Sequence, residues 1–315
     1  MILQSERLAV DIADPGTVYR GPRFDWTGFV TQVTLDGAHT FCTTEAAGRA
    51  GSATWPGAGL CNEFGIFQPI GYDEVPVGGQ FPKPGVGLLT RLDGRGYRFM
   101  APYPIEPATI HVEALGPQCV RYHIKPADCH GYSFDYQKTL MLHGQTLAIQ
   151  YQLENLGAKR ILTQEYNHNF IALDGAALGT DYFLDLNFIP QFDREVHPLQ
   201  TRGSRILWQE RPAADFYSPI GGFDAATPVG WSLHHVRRGL RLDCRTDFRA
   251  SGVAIWGTAH VISPEIFYPV DLLPGATCRW QRSYTFRLTS DPDQSVAPPA
   301  HPGGVGIPDA GKDRG

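Results

Sequence analysis

The sequence predicts an all-β protein, a large antiparallel sandwich of well over ten strands, on three observations. Short runs rich in Val, Ile, Leu, Tyr and Phe recur along the whole chain, and several alternate apolar with polar residues. No stretch of about 12 residues repeats its apolar positions at a helical period. The 35 Gly and 25 Pro are spread through the 315 residues rather than clustered, as turns between many strands require.

In chain order the strand-like runs are Leu8–Ile12, Phe29–Leu35, Thr109–Glu113, Cys119–Ile124, Lys138–Leu142, Leu147–Leu153 and Arg160–Phe170. They continue with Asp181–Phe188, Arg205–Trp208, Gly230–His235, Leu240–Cys244, Gly252–Thr258 and Arg279–Leu288. His143-Gly144, Asn155-Leu156-Gly157 and Arg238-Gly239 separate neighbouring runs as hairpin turns do. Between Gly57 and Gly87 the text is Gly- and Pro-rich, which predicts a long loop walling one side of a cleft, with no regular central strand in it. Residues 290–315 hold almost no large apolar side chain and read as a disordered tail behind one domain, 1–289.

Charge and cysteine content exclude several classes of function. With 27 Lys and Arg against 32 Asp and Glu, the net charge of −5 and the lack of a basic patch argue against a nucleic-acid partner. The first residues lack a basic segment followed by an apolar run, and no stretch approaches the length of a membrane span. Six scattered cysteines without a Cys-x-x-Cys pair predict reduced structural thiols, a cytoplasmic protein and no metal site. No His-x-His, His-Glu-x-x-His, phosphate loop or Gly-x-Ser-x-Gly elbow appears, and the expectation is no cofactor.

The segment Glu165-Tyr166-Asn167-His168-Asn169 breaks the plain alternation of a half-buried strand. Glu165, Asn167 and Asn169 fall on one face, and Gln164, Tyr166 and His168 on the other. A strand polar on both faces predicts that one of them lines a polar cleft.

From Asn167 the chain reads Asn167-His168-Asn169-Phe170-Ile171-Ala172-Leu173-Asp174-Gly175, which resembles the Asn-His-x-aromatic-x-x-Leu-x-Gly strand of the galactose mutarotase (aldose 1-epimerase) superfamily. Ala172 stands where that family has a second Asn. Further on, Ser263-Pro264-Glu265, the turn Leu272-Leu273-Pro274-Gly275 and the run Arg279–Phe286 are similar to the family's late segment, where its catalytic Glu precedes a Leu-x-Pro-Gly turn and a last strand. The resemblance covers about the last half of the chain and identifies it as a divergent member. It implies a β-supersandwich with an open carbohydrate-binding groove, a small-molecule sugar as partner, and a monomer or homodimer.

The resemblance also implies a chemistry. Opening a cyclic aldose needs a base to take the anomeric hydroxyl proton and an acid to protonate the ring oxygen, each worth on the order of 10²–10⁴ in rate. The implied assignment is Glu265 as base and His168 as acid, facing each other across one sugar ring, in an isomerase of carbohydrate metabolism. The implied groove residues are Asn62, Glu63, Lys83, Tyr166, Asn167, Asn169 and Trp256. The family's early Asn-Arg pair has its nearest match in Asn62-Glu63, so a carboxylate stands where a cation is expected, and Lys83 stands near the place of a second His. A lyase or glycoside hydrolase on the same fold, and a sugar-binding protein without turnover, are the alternatives. Trp256 reads as a sugar-stacking platform or a core indole, His260 as a groove or structural imidazole, and Arg23 and Arg91 as anion contacts or surface ion pairs. Asp128, His130 and Asp135 are too unevenly spaced for a metal set, and His234 and His235 alternate across a strand and cannot share one cleft.

Overall fold

The computed structural model describes residues 1–46, 56–125 and 128–291. Two large antiparallel sheets pack face to face, and a small three-stranded sheet closes one flank. In the first sheet the strands Phe29–Leu35, Leu60–Phe64, Ile161–Asn169, Ile262–Leu272, Gly252–Gly257 and Phe216–Pro219 lie side by side in that order. The second runs through Gly230–His235, Leu240–Thr246, Thr277–Leu288, Thr146–Asn155 and Phe134–His143. Val10, Val33, Leu60 and Ile161 of the first sheet meet Leu140, Ile149, Leu242 and Phe286 of the second in one core. Among the described residues the only helical turns are Tyr72–Glu74 and Leu173–Gly175, and no helix is long and apolar enough to cross a membrane.

Local turn chemistry makes the hairpins. His143 pairs with Thr146 across a two-residue turn, and Gly144 takes the left-handed conformation (φ 57°) that such a turn demands. The small sheet, Gln80–Lys83, Gly87–Thr90 and Ile105–Pro107, sits on the opposite side of the first sheet from the main core. Phe81, Val86 and Leu89 from it join Tyr19, Phe24 and Phe170 in a second, smaller core.

Two expectations are corrected. Inside the Gly57–Gly87 segment, Leu60–Phe64 is a fully buried central strand that pairs with Ile161–Asn169 on one side and with Phe29–Leu35 on the other. Its polar Asn62 and Glu63 masked it, because a strand buried on both faces shows no alternation once its polar groups are paired inside. Gly59 (φ 59°) admits the chain: a Cβ there would meet the Val30 carbonyl oxygen at 1.9 Å. Of the expected tail, Asp291 is tied to the domain, accepting hydrogen bonds from Gln145 (2.8 Å) and Arg7 (3.1 Å); residues 292–315 lie outside the described residues.

A polar layer runs between the two large sheets. Glu165 Oε2 accepts hydrogen bonds from Arg282 (2.6 Å) and from the Trp280 indole (3.0 Å). Asn167 bridges the hydroxyls of Tyr151 (3.0 Å) and Tyr284 (2.9 Å), and Tyr284 donates to Asn169 (2.9 Å). Lys138 Nζ donates to Asn62 (2.6 Å) and to the Thr27 carbonyl (2.7 Å), with Asp25 at 3.6 Å. A one-residue slip of Ile161–Asn169 would turn all three groups out of this layer, so the network holds the register.

Removing one partner of a buried ion pair costs about 3–5 kcal/mol, whereas replacing both with apolar groups is often neutral. Arg282→Met leaves the Glu165 carboxylate unpaired and is expected to lose about that much stability in urea denaturation. The double variant Arg282→Met/Glu165→Leu is expected to recover most of it. A double variant no more stable than the single one would show that burial of the charge is not the cost.

Candidate functional site

The alternation of Ile161–Asn169 sends Tyr166, His168 and then Phe170 away from the main core. Register adds their neighbours: Tyr166 pairs with Glu63 and His168 with Cys61 on one side, and Tyr166 with Phe267 on the other. Glu265, two residues before Phe267, shares that face, and Ala254 pairs with Glu265 and Trp256 with Ser263. His168, Glu265, Glu63 and Trp256 therefore reach one face of four adjacent strands.

His168 and Glu265 are in contact. Nε2 of the imidazole lies 3.4 Å from Oε1 of the carboxyl, and the side chains are 5% and 4% exposed. The expectation of a gap one sugar ring wide is thus corrected to a buried pair. The imidazole is boxed by Phe170, stacked at 4.3 Å, and by the edges of Trp256 (5.0 Å) and Phe24 (5.9 Å). Its Nδ1 is buried without a hydrogen-bond partner, and Ser263 donates to Glu265 Oε1 at 3.2 Å.

Burial decides the protonation of the pair. It pushes the Glu265 carboxyl up to about 8, against the opposing pull of Arg23 and the Ser263 hydroxyl, with Glu63 adding to the rise. The same burial, helped by the Arg23 charge, holds His168 well below the usual histidine range. At neutral pH a protonated carboxyl touches a neutral imidazole. The resemblance implies Glu265 as base and His168 as acid; burial favours the protonated form of the one and the neutral form of the other.

Beside the pair lies a buried charge cluster built on Glu63. Arg23 Nε donates to Glu63 Oε2 at 2.9 Å, and Lys83 Nζ donates to Oε1 at 3.2 Å. The Tyr166 hydroxyl accepts from Arg23 (3.2 Å) and donates to Glu63 (2.9 Å), and Lys83 also reaches the Tyr97 hydroxyl (2.9 Å). Arg23, weighed in the sequence as a surface ion pair, is 8% exposed. Its guanidinium lies over the rings of Phe24 (4.5 Å) and Phe99 (4.6 Å). The cation missing beside Asn62 is thus supplied from a distant segment. Its one signal in sequence is the apolar company of Phe24 and Trp26.

A cavity of about 660 Å³ opens on this face, lined by Arg23, Phe24, Phe99, Met100, Trp256 and His260 among others. Of the seven implied groove residues Trp256 alone lines it, and neither His168 nor Glu265 is among the lining residues. Asn62, Asn167 and Asn169 are corrected to the opposite face, where they belong to the polar layer between the sheets. Glu63, Lys83 and Tyr166 are on the site face, yet they are buried and bonded to one another. His260 is held by Thr258 (2.9 Å) and the Thr44 carbonyl (3.3 Å), and Arg91 ties the carbonyls of Tyr72 (3.1 Å) and Val75 (2.8 Å). Among the described residues no three His, Cys, Asp or Glu side chains converge as metal ligands.

No family model and no curated protein matches the sequence. Solved structures do resemble this one. A Synechocystis protein superposes with a TM-score of 0.61 at 12% identity, over 91% of this chain and 95% of its own. A putative aldose 1-epimerase from Escherichia coli K12 gives 0.59 at 11% identity, over 91% and 98%. A galactose mutarotase related enzyme from Lactobacillus acidophilus gives 0.58 at 14% identity, over 92% and 98%. The chain has the galactose mutarotase-like fold.

The buried carboxyl predicts a pH dependence of stability. Unfolded, Glu265 loses its proton near 4.5; folded, near 8. The folded state therefore holds one more proton across that window, and the stability from this group is complete below 4.5 and lost as pH rises to about 8. His168 has the opposite slope below 6.5, so the comparison is made above it. Between pH 6.5 and 8 wild type is expected to lose stability relative to Glu265→Gln, by up to about 1.4 kcal/mol per pH unit in urea denaturation. A flat difference would mean that Glu265 is already ionised.

Proposed function

We propose that this protein, on its galactose mutarotase-like fold, binds an aldose and interconverts its anomers by acid/base catalysis at Glu265 and His168. The observation that supports this most is the pair itself: a protonated carboxyl in contact with a neutral imidazole, beneath a cavity. Perturbed groups of this kind concentrate where proton transfer is the task.

The chemistry accommodates the contact between the two groups. The anomeric hydroxyl and the ring oxygen are both bonded to C1, so an adjacent acid and base can serve both from one side. His168 takes the hydroxyl proton while Glu265 protonates the ring oxygen, and the C1–O5 bond opens to the free aldehyde. After rotation about C1–C2, the protonated imidazole returns its proton to the aldehyde oxygen, and the ionised carboxylate takes the proton of the attacking O5 hydroxyl. No net proton is consumed, and neither a metal nor a cofactor is needed. Phe24 and Trp256 cover the pair, and the sugar displaces these rings to reach it, with Trp256 as the surface on which its apolar face packs.

A second reading has one observation in its favour. Because His168 and Glu265 are 4% and 3% exposed, a sugar that does not displace Phe24 and Trp256 would bind without turnover. Anomer exchange followed by magnetisation-transfer NMR separates the two. With a mutarotase, exchange is expected above the spontaneous rate, lowered on the order of 10²–10⁴-fold in His168→Ala and in Glu265→Gln. Activity is also expected to fall as pH rises through about 8, where Glu265 loses its resting proton. Sugar-dependent melting shifts with no exchange above background would establish binding alone. Unchanged exchange in both variants would sink the mechanism.

A further inference from the structure

The lining of the cavity bears on which sugar it takes. At about 660 Å³ the space lies within the range of about 300–1,000 Å³ that drug-sized ligands occupy, and a free hexose, with about 12 heavy atoms, fills only part of it. Its walls include Phe99, Met100 and Pro102 from one segment and Pro212, Ala213 and Ala214 from another, six side chains without a hydrogen-bonding group suited to a hydroxyl. Sugar hydroxyls set against these walls would lose water without gaining partners.

Of the charged lining residues, Arg23 and Glu45 are already engaged within the protein. The Arg23 guanidinium lies over the Phe24 and Phe99 rings, and its N–H groups go to Glu63, Tyr166, Glu45 and the Met100 sulfur. Glu45 accepts from the Gly57 amide as well (3.0 Å), and Arg20 and Asp215 lie at the exposed rim. Meanwhile Met100 is 53% and Phe99 36% exposed, leaving large apolar surface beside the space. A thioether next to an aromatic ring is a surface that adapts to apolar groups of varied shape.

We propose, resting on the aldose reading above, that the preferred ligand is an aldose carrying an apolar acyl or aryl substituent. The substituent sits elsewhere than on O1, because O1 must keep its hydrogen for ring opening. The sugar ring lies over Trp256, and the substituent lies between the Phe99–Met100 and Pro212–Ala214 walls.

The test compares D-galactose and D-glucose with their 6-O-benzoyl esters and with the reducing disaccharides lactose and melibiose, by calorimetry and ligand-observed NMR on the full chain. An ester is expected to bind at least about tenfold more tightly than its parent sugar, with saturation transferred to its aromatic protons. Met100→Gln is expected to narrow that gap, and Met100→Leu, which keeps the wall apolar, to retain it. Parent sugars or disaccharides binding as tightly as the esters would overturn the proposal while leaving the aldose reading intact. If none of these sugars binds and none exchanges, the aldose reading itself fails and this proposal with it.

Discussion

The register of the Ile161–Asn169 strand is the constraint on which the rest of the structure depends. Glu165, Asn167 and Asn169 face the second sheet, and Tyr166 and His168 face the cavity side. The first set is hydrogen-bonded by Arg282, Trp280, Tyr151 and Tyr284, which project from two neighbouring strands of the opposite sheet, although Glu165 Oε1 has no hydrogen-bond partner. A shift by one residue would turn Tyr166 and His168 toward the second sheet and leave Glu165 on the other side. The polar layer that orders the core is therefore also what aims His168.

On the site face, desolvation dominates. Glu63 can be fully buried because Arg23 and Lys83 each donate to it, and Tyr166 ties two members of the cluster together. The ion-pair partner within reach of each of His168 and Glu265 is the other, and burial drives both toward their neutral forms. Two adjacent clusters on one sheet face thus differ: Glu63 is held by Arg23 and Lys83, whereas burial favours the neutral forms of His168 and Glu265.

Much of the fold was legible in local pattern. Strands with clear alternation, such as Thr146–Asn155, and hairpins with a Gly at a left-handed position were read at nearly their true places, because both signals are set by neighbours in sequence. Leu60–Phe64 was not, since its Asn62 and Glu63 look like loop residues until Lys138 and Arg23 are brought to them. Ile262–Leu272 was recognised around Glu265 only, because Pro264 and Pro269 interrupt its text although it pairs on both sides.

The candidate site divides in the same way. Sequence alone determined which strand is polar on both faces and which of its residues share a face, since these follow from a period of two; that His168 and Glu265 go together was implied by the resemblance to the galactose mutarotase family. Only the tertiary structure decided that Asn62, Asn167 and Asn169 point into the core, that Arg23 closes over Glu63, and that His168 and Glu265 touch under Phe24 and Trp256. The reason is physical. Alternation separates two faces without saying which is inside, and protonation depends on burial and on charges supplied by strands and loops far away in the chain.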